Sequence, residues 1–282
     1  MTAQKGQPAV NLQALMNAQF NAAKFYQNMA ALCSVFTLAI DLFVTFTNQY
    51  QKGFALLAAG LVITSGALLW RSNRLRYTAE GILRKFELHK GLGWDISARE
   101  LSDILASAPS SVKKAARSAA PETYFTDTTG AGPTRLLKNL EESAWWTKQL
   151  AKRMAGYAAA VSIVVGIVAL VTLVVALEGA LSQNIADSIA KATIAVIVFV
   201  FSGGYVKLAF DYNLLAQEAD RTEDRACELL KTSPVESEAI KALHDYQIAR
   251  VTAPLIPTLI WKVSQKELYS LWDERTSGKL GT

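Results

Sequence analysis

Residues 156–177 read GYAAAVSIVVGIVALVTLVVAL. The run holds no charged side chain, and its polar groups are limited to Tyr157, Ser162 and Thr172. At 1.5 Å per residue it makes a helix of roughly 33 Å, about the thickness of a bilayer's hydrocarbon core. Three more apolar runs lie at 29–46, 54–70 and 192–210, with Asp41 the one charged residue in the first and Lys207 in the last. The first two are near the short end, so extra helical turns or local thinning of the bilayer are expected there. Four such runs in one chain would demand an implausibly large dry core in a soluble protein. The expectation is an all-α integral membrane protein with four transmembrane helices, arranged as two hairpins.

Composition agrees. Of the 282 residues 51% are hydrophobic and the mean hydropathy is +0.19, yet the charges lie almost entirely between and after the four runs. Net charge is only +5, so the placement of Lys and Arg says more than their sum. The connectors 47–53 and 178–191 hold only Lys52 and Lys191, whereas 71–153 holds fifteen Lys or Arg. Arg71, Arg74, Arg76, Arg84 and Lys85 follow the second run, and Lys148, Lys152 and Arg153 precede the third. The positive-inside rule puts the middle segment and both termini in the cytoplasm. The first apolar run begins after a mostly polar stretch with no evident cleavage site, so no signal peptide is expected.

The domains read from these shifts are an N-terminal amphipathic helix (1–28), a first hairpin (29–70), a cytoplasmic helical insert (71–153), a second hairpin (154–210) and a cytoplasmic helical tail (211–282). In the first, Leu12, Leu15, Met16, Phe20 and Ala23 share a face that would pack on a neighbouring helix or lie on lipid. A helix over 71–90 carries an inner stripe of Leu75, Ala79, Ile82, Phe86 and His89, with the histidine packed. Arg76, Glu80 and Arg84, at i, i+4 spacing, would pair on another face. Ser97 and Glu100 form a capping box, as do Ser233 with Glu236 and Ser264 with Glu267. From Pro133 one helix should run straight into the third span. Small residues in the spans (Gly156, Ala160, Ser162, Gly166, Gly203 and Gly204) allow close helix packing, within or between chains.

Chemistry-bearing residues are few. Cys33 and Cys227 should sit at different depths and stay unbridged. His89 and His244 stand alone, and no zinc spacing exists. Neither a nucleophile elbow nor a paired-carboxylate motif is visible, so no enzyme and no cofactor are expected. Asp41 is the exception within a span, where a carboxylate is costly. It lies about twelve residues, roughly 18 Å, from the inner end of its helix. Lys207 is near the inner end of the fourth span, so the two should not meet, and Lys207 can snorkel to the interface. Asp41 would face a pore or cavity, contact another subunit, or be a protonated group bonded inside the bundle. In the cytoplasmic part, Arg84, Trp94, Arg135, Trp145 and Trp146 offer cations and aromatic faces of the kind that hold a nucleotide. The same tryptophans also suit an interface belt or a domain core.

Three strings, AEGILRKFELHKGLGWDIS (79–97), NLEESAWWTKQLAKRM (139–154) and YQIARVTAPLIPTLIW (246–261), resemble the bacterial four-transmembrane pore-forming effectors associated with SMODS-type nucleotide synthases. The order of pieces also resembles that family: two spans, an insert, two spans, a helical tail. The resemblance implies an effector of CBASS-type anti-phage defence in the bacterial inner membrane. A cyclic di- or trinucleotide made during infection would bind on the cytoplasmic side, and a homo-oligomer would then breach the bilayer in abortive infection. It implies no DNA or RNA polymer as partner. A housekeeping transporter or channel, and a non-conducting membrane scaffold, remain the alternatives.

Overall fold

The computed structural model describes residues 11–47, 51–120, 124–177, 182–202 and 204–277. Among these every regular element is helical. The helices are α1 (Leu12–Thr47), α2 (Gln51–Leu92), α3 (Ala98–Ser107), α4 (Ser110–Ser118), α5 (Pro133–Leu177), α6 (Gln183–Ser202), α7 (Tyr205–Lys231), α8 (Glu236–Thr252) and α9 (Thr258–Thr276). Four stretches, carried by α1, α2, α5 and α6–α7, are long and apolar enough to cross a membrane. Their surfaces fit that solvent: Leu56 is 77% exposed and Ile63 74%, values that would be untenable in water along a whole helix. The protein is a multi-pass membrane protein whose regular elements, among the described residues, are all helices.

The chain divides into two compact units. A polar unit comprises Met1–Phe25, Arg71–Lys148 and Gln217–Thr252; a span unit comprises Tyr26–Trp70, Gln149–Ala216 and Ala253–Thr282. The stretch 211–282 contributes to both units.

Two apolar clusters hold the polar unit. In the first, Leu15 and Met16 of α1 meet Ile82, Leu83 and Phe86 of α2, with Ala108, Val112, Ala116 and Phe125 closing it. The face of α1 read from spacing packs on protein here, and the stripe Leu75, Ala79, Ile82 and Phe86 is buried as expected. In the second, Leu136, Leu137, Leu140 and Ala144 of α5 meet Ala219 and Ala226 of α7 and Ala239, Ala242, Leu243 and Tyr246 of α8. Gly91 explains how closely α2 approaches α5. A Cβ there would stand 2.5 Å from Leu136 Cδ1 and 3.0 Å from its Cα, so only glycine fits.

The expected continuity of α5 from Pro133 holds, as does the capping box at Ser97, whose hydroxyl accepts from the Glu100 amide at 3.2 Å. Several local expectations give way. His89 is exposed instead of packed, with Nδ1 2.9 Å from the Trp94 carbonyl oxygen. Ser233 caps nothing: the first turn of α8 hangs from the Val235 carbonyl, which accepts from Glu238 and Ala239 at 3.1 Å. Ser264 lies inside α9, which starts after Pro257, where proline fixes an extended entry. The second connector is partly helix, since α6 starts at Gln183. Gly204 has φ +78 and separates α6 from α7 within the fourth apolar run. Beside it, and beside Gly156 and Gly166, a Cβ would meet nothing within 4 Å, so these glycines mark no close helix contact inside one chain. Gly203 lies outside the described residues.

Candidate functional site

Asp41 sits on α1, with its side chain exposed. On α1, Ser34, Thr37, Asp41 and Thr45 recur at i, i+3, i+7 and i+11 and share one face. The three hydroxyls are satisfied at home: Ser34 donates to the Ala30 carbonyl at 3.2 Å, Thr37 to Cys33 at 3.0 Å and Thr45 to Asp41 at 2.7 Å. From α2, the Ser65 hydroxyl also reaches the Ala30 carbonyl at 3.1 Å and lies 3.2 Å from that of Ser34. The Asp41 carboxylate has no hydrogen bond or ion pair among the described residues. Lys207 does not supply one. It pairs with Asp211 in its own helix at 2.5 Å. The reading of Asp41 as a carboxyl bonded inside the bundle does not fit this exposure.

The polar unit holds a buried charged network between α2 and α8. Glu80 and Glu87, at i and i+7, are both buried on α2. Arg250 answers both: Nε donates to Glu80 Oε2 at 3.1 Å, and Nη1 and Nη2 to the two oxygens of Glu87 at 2.7 and 3.3 Å. Gln247 Nε2 adds a bond to Glu87 at 2.8 Å. Burial alone would lower the Arg250 guanidinium, but Glu87 and Glu80 outweigh it and raise it well above its usual value. Arg76 Nη2 donates to the carbonyls of Arg250 and Val251 at 3.2 and 2.5 Å, satisfying the C-terminal end of α8. The i, i+4 pairing expected among Arg76, Glu80 and Arg84 is thus replaced: Glu80 is taken by a cation from another helix.

Tyr246 lies one turn before Arg250, whose guanidinium stands 5.1 Å from the ring centroid. Its hydroxyl donates to the Ser143 carbonyl at 3.0 Å, so the Thr147 hydroxyl at 2.6 Å must be a donor to it. Burial pushes the Tyr246 phenol up. Two further charged groups are fixed nearby in sequence. Glu142 accepts from the amide and hydroxyl of Thr126 at 2.9 Å each, and burial, outweighing these bonds, raises its carboxyl. Lys148 meets Asp220 at 2.9 Å and Glu223 at 2.5 Å; burial lowers its ammonium, and the two carboxylates more than compensate, so it is raised.

The nucleotide candidates fall into two groups. Arg84, Leu88 and Gly91 lie on one stripe of α2, and Gly91 touches Leu136, the neighbour of Arg135. Trp94 follows immediately in an exposed loop, and the Gly132 amide donates to the Gly91 carbonyl at 2.8 Å. Trp94 and Arg135 therefore flank the junction between the end of α2 and the start of α5, with Arg84 two turns back along α2. The Nε atoms of Arg84 and Arg135 are buried without a hydrogen-bond partner, and neither side chain has an ion pair among the described residues. Asn139, one turn beyond Arg135, is 2% exposed, and neither of its amide atoms has a partner. Trp145 and Trp146 lie further along α5. Trp145 is buried, and the two rings meet edge to face at 5.1 Å. Asn139 was not legible as a candidate, because nothing in spacing marks which polar residue a helix will bury.

Among the described residues no group of three or more His, Cys, Asp or Glu side chains gathers as a metal site. Comparison with family models, with curated proteins and with solved structures finds no match to this chain.

Proposed function

We propose that the chain is a pore-forming or membrane-disrupting effector of bacterial defence that works as a homo-oligomer and is gated by a cyclic di- or trinucleotide from the cytoplasm. The observation that carries this reading is Asp41. It is an exposed carboxylate on an apolar, bilayer-length helix, with no hydrogen bond or ion pair among the described residues. A charge in hydrocarbon costs several kcal/mol unless it faces water or a partner. A lumen enclosed by several copies supplies that environment, and four helices alone enclose little.

Gating rests on the polar unit. Among the described residues Arg84 and Arg135 pair with no carboxylate, and the amide of Asn139, one turn beyond Arg135, is buried without a hydrogen-bond partner. Guanidinium and aromatic groups suit phosphates and bases. The excess of Lys and Arg in 71–153 supports a cytoplasmic position for this unit in the inner membrane, where such a messenger is made. Ligand binding would shift the population of assemblies toward a leaking one.

The test is dye leakage from liposomes carrying the folded, inserted protein, with a panel of cyclic di- and trinucleotides. Leakage triggered by one nucleotide is expected, with an altered rate for Asp41→Asn and loss of the trigger for Arg84→Gln or Arg135→Gln. Absence of leakage with every nucleotide would overturn the reading in favour of a membrane scaffold. The break at Gly204, inside the fourth apolar run, favours a second reading, a transporter with a discontinuous helix. Steady solute flux without any nucleotide would select it.

A further inference from the structure

The helix α9 carries two stripes. Ser264, Leu268 and Trp272 face inward and are buried. On the opposite side Leu259, Val263, Lys266 and Ser270 recur at i, i+4, i+7 and i+11, with Leu259 68% and Val263 67% exposed and Lys262 exposed beside them. Among the described residues nothing in the span unit covers these two apolar side chains.

Their depth is fixed by the contacts on either side of them. Ahead of α9, the Tyr212 hydroxyl donates to the Leu255 carbonyl at 2.8 Å, and Ala253 packs on Ala151, Leu215 and Ala216. Behind, Arg153 donates to the Ser264 hydroxyl at 3.1 Å and pairs with Glu267 at 2.8 Å. Tyr212 lies two residues beyond the fourth apolar run and Arg153 three residues before the third, about 3 and 4.5 Å along their helices. The headgroup layer on each side of the hydrocarbon is about 5–8 Å thick. The exposed turn between these contacts therefore falls inside it.

We infer that the first half of α9 seats in the headgroup layer of an anionic phospholipid surface, with Leu259 and Val263 reaching the acyl boundary and Lys262 and Lys266 pairing with lipid phosphates. Apolar residues flanked by lysines are the composition of an interfacial helix. Trp261 and Tyr269, whose rings meet edge to face at 6.2 Å, belong to the residue types that concentrate at membrane interfaces. The seat ends near Ser270, because Asp273 and Glu274 follow and would be repelled by an anionic surface.

The experiment is nitroxide labelling at Leu259→Cys and Val263→Cys in a full chain carrying Cys33→Ala and Cys227→Ala, reconstituted in vesicles. Collision with oxygen, which concentrates in lipid, is compared with collision with a water-soluble nickel chelate. Val235→Cys, at an exposed position 60% open in the polar unit, serves as the water-facing reference. The expected oxygen-to-nickel ratio is several-fold higher at both α9 positions than at the reference. It should fall toward the reference when phosphatidylglycerol is replaced by phosphatidylcholine, and in phosphatidylglycerol vesicles when Lys262→Gln and Lys266→Gln are combined. Ratios equal to the reference at both positions, or shielding from both reagents with spin–spin coupling between copies, would overturn the inference. Circular dichroism of each labelled variant separates such a result from misfolding.

Discussion

Arg250 Nε reaches Glu80 Oε2 at 3.1 Å across 170 positions of chain, joining α8 to α2 inside the polar unit. The contact ties together two helices that sequence separates by most of the protein. Its worth lies in what removal would expose. With Arg250→Met, Glu80 and Glu87 would stay buried without the cation that answers both. A loss of about 3–5 kcal/mol is expected, since breaking one side of a buried pair strands the other. Thermal unfolding in detergent would read it. Replacing all three residues by methionine should recover most of the loss; a triple variant no more stable than the single one would refute this account.

Tyr246→Phe removes one hydroxyl that serves two partners, the Ser143 carbonyl and the Thr147 hydroxyl. The ring and its contact with Arg250 remain. The expected cost is about 1–2 kcal/mol in the same unfolding assay. A neutral result would mean that water replaces the phenol at no penalty.

Gly91 and Gly81 lie on the same helix and should respond with opposite sign. Gly91→Ala drives a methyl group against Leu136, including its backbone, and should cost about 1–3 kcal/mol. Gly81 is exposed and has nothing within 4 Å of a new Cβ. Gly81→Ala should stabilise by up to about 1 kcal/mol, because alanine restricts the unfolded chain and favours helix. The pair measured side by side separates helix propensity from close packing.

The start of α3 should be acid-sensitive. Lys85, foremost, and the amide and hydroxyl of Ser97 hold the Glu100 carboxyl down from 4.5 to about 2. A carboxylate held down in the folded state adds stability above its unfolded value. That contribution declines as pH falls from 4.5 and is gone near 2. Carbon-13 titration of Glu100 should show the low midpoint, and Lys85→Met should move it upward. A midpoint unchanged by that substitution would assign the shift to the helix end alone.

Much of the architecture was legible because its signals are local. Apolar length marks the four membrane stretches, and the 3.6-residue period of Leu75, Ala79, Ile82 and Phe86 marks the buried face of α2. The capping boxes show the limit of such reading. Ser97 caps α3, but Ser264 and Glu267 have the same spacing in the middle of α9, where both instead meet Arg153. A Ser–x–x–Glu pattern is compatible with a helix start and with one face of a helix interior. Arg250 was hidden for a different reason. Its carboxylates come from a helix brought near only by folding, and Glu80 has a closer candidate, Arg84, in its own helix. Burial decided between them: Arg250 satisfies two buried carboxylates at once.

In the first hairpin the hydroxyls of Thr37, Thr45 and Thr64 each donate to a carbonyl one turn back in their own helix. Their hydrogen bonds travel with the helix. Sliding, rotation or an exchange of neighbours leaves these groups satisfied, so they set no penalty against re-pairing within a bilayer. The Ser65 hydroxyl is different, since it reaches across to Ala30 and must let go before α1 and α2 can part. The hairpin is thus held in register by shape and by that crossing bond, while most of its polar content is indifferent to which helix lies alongside.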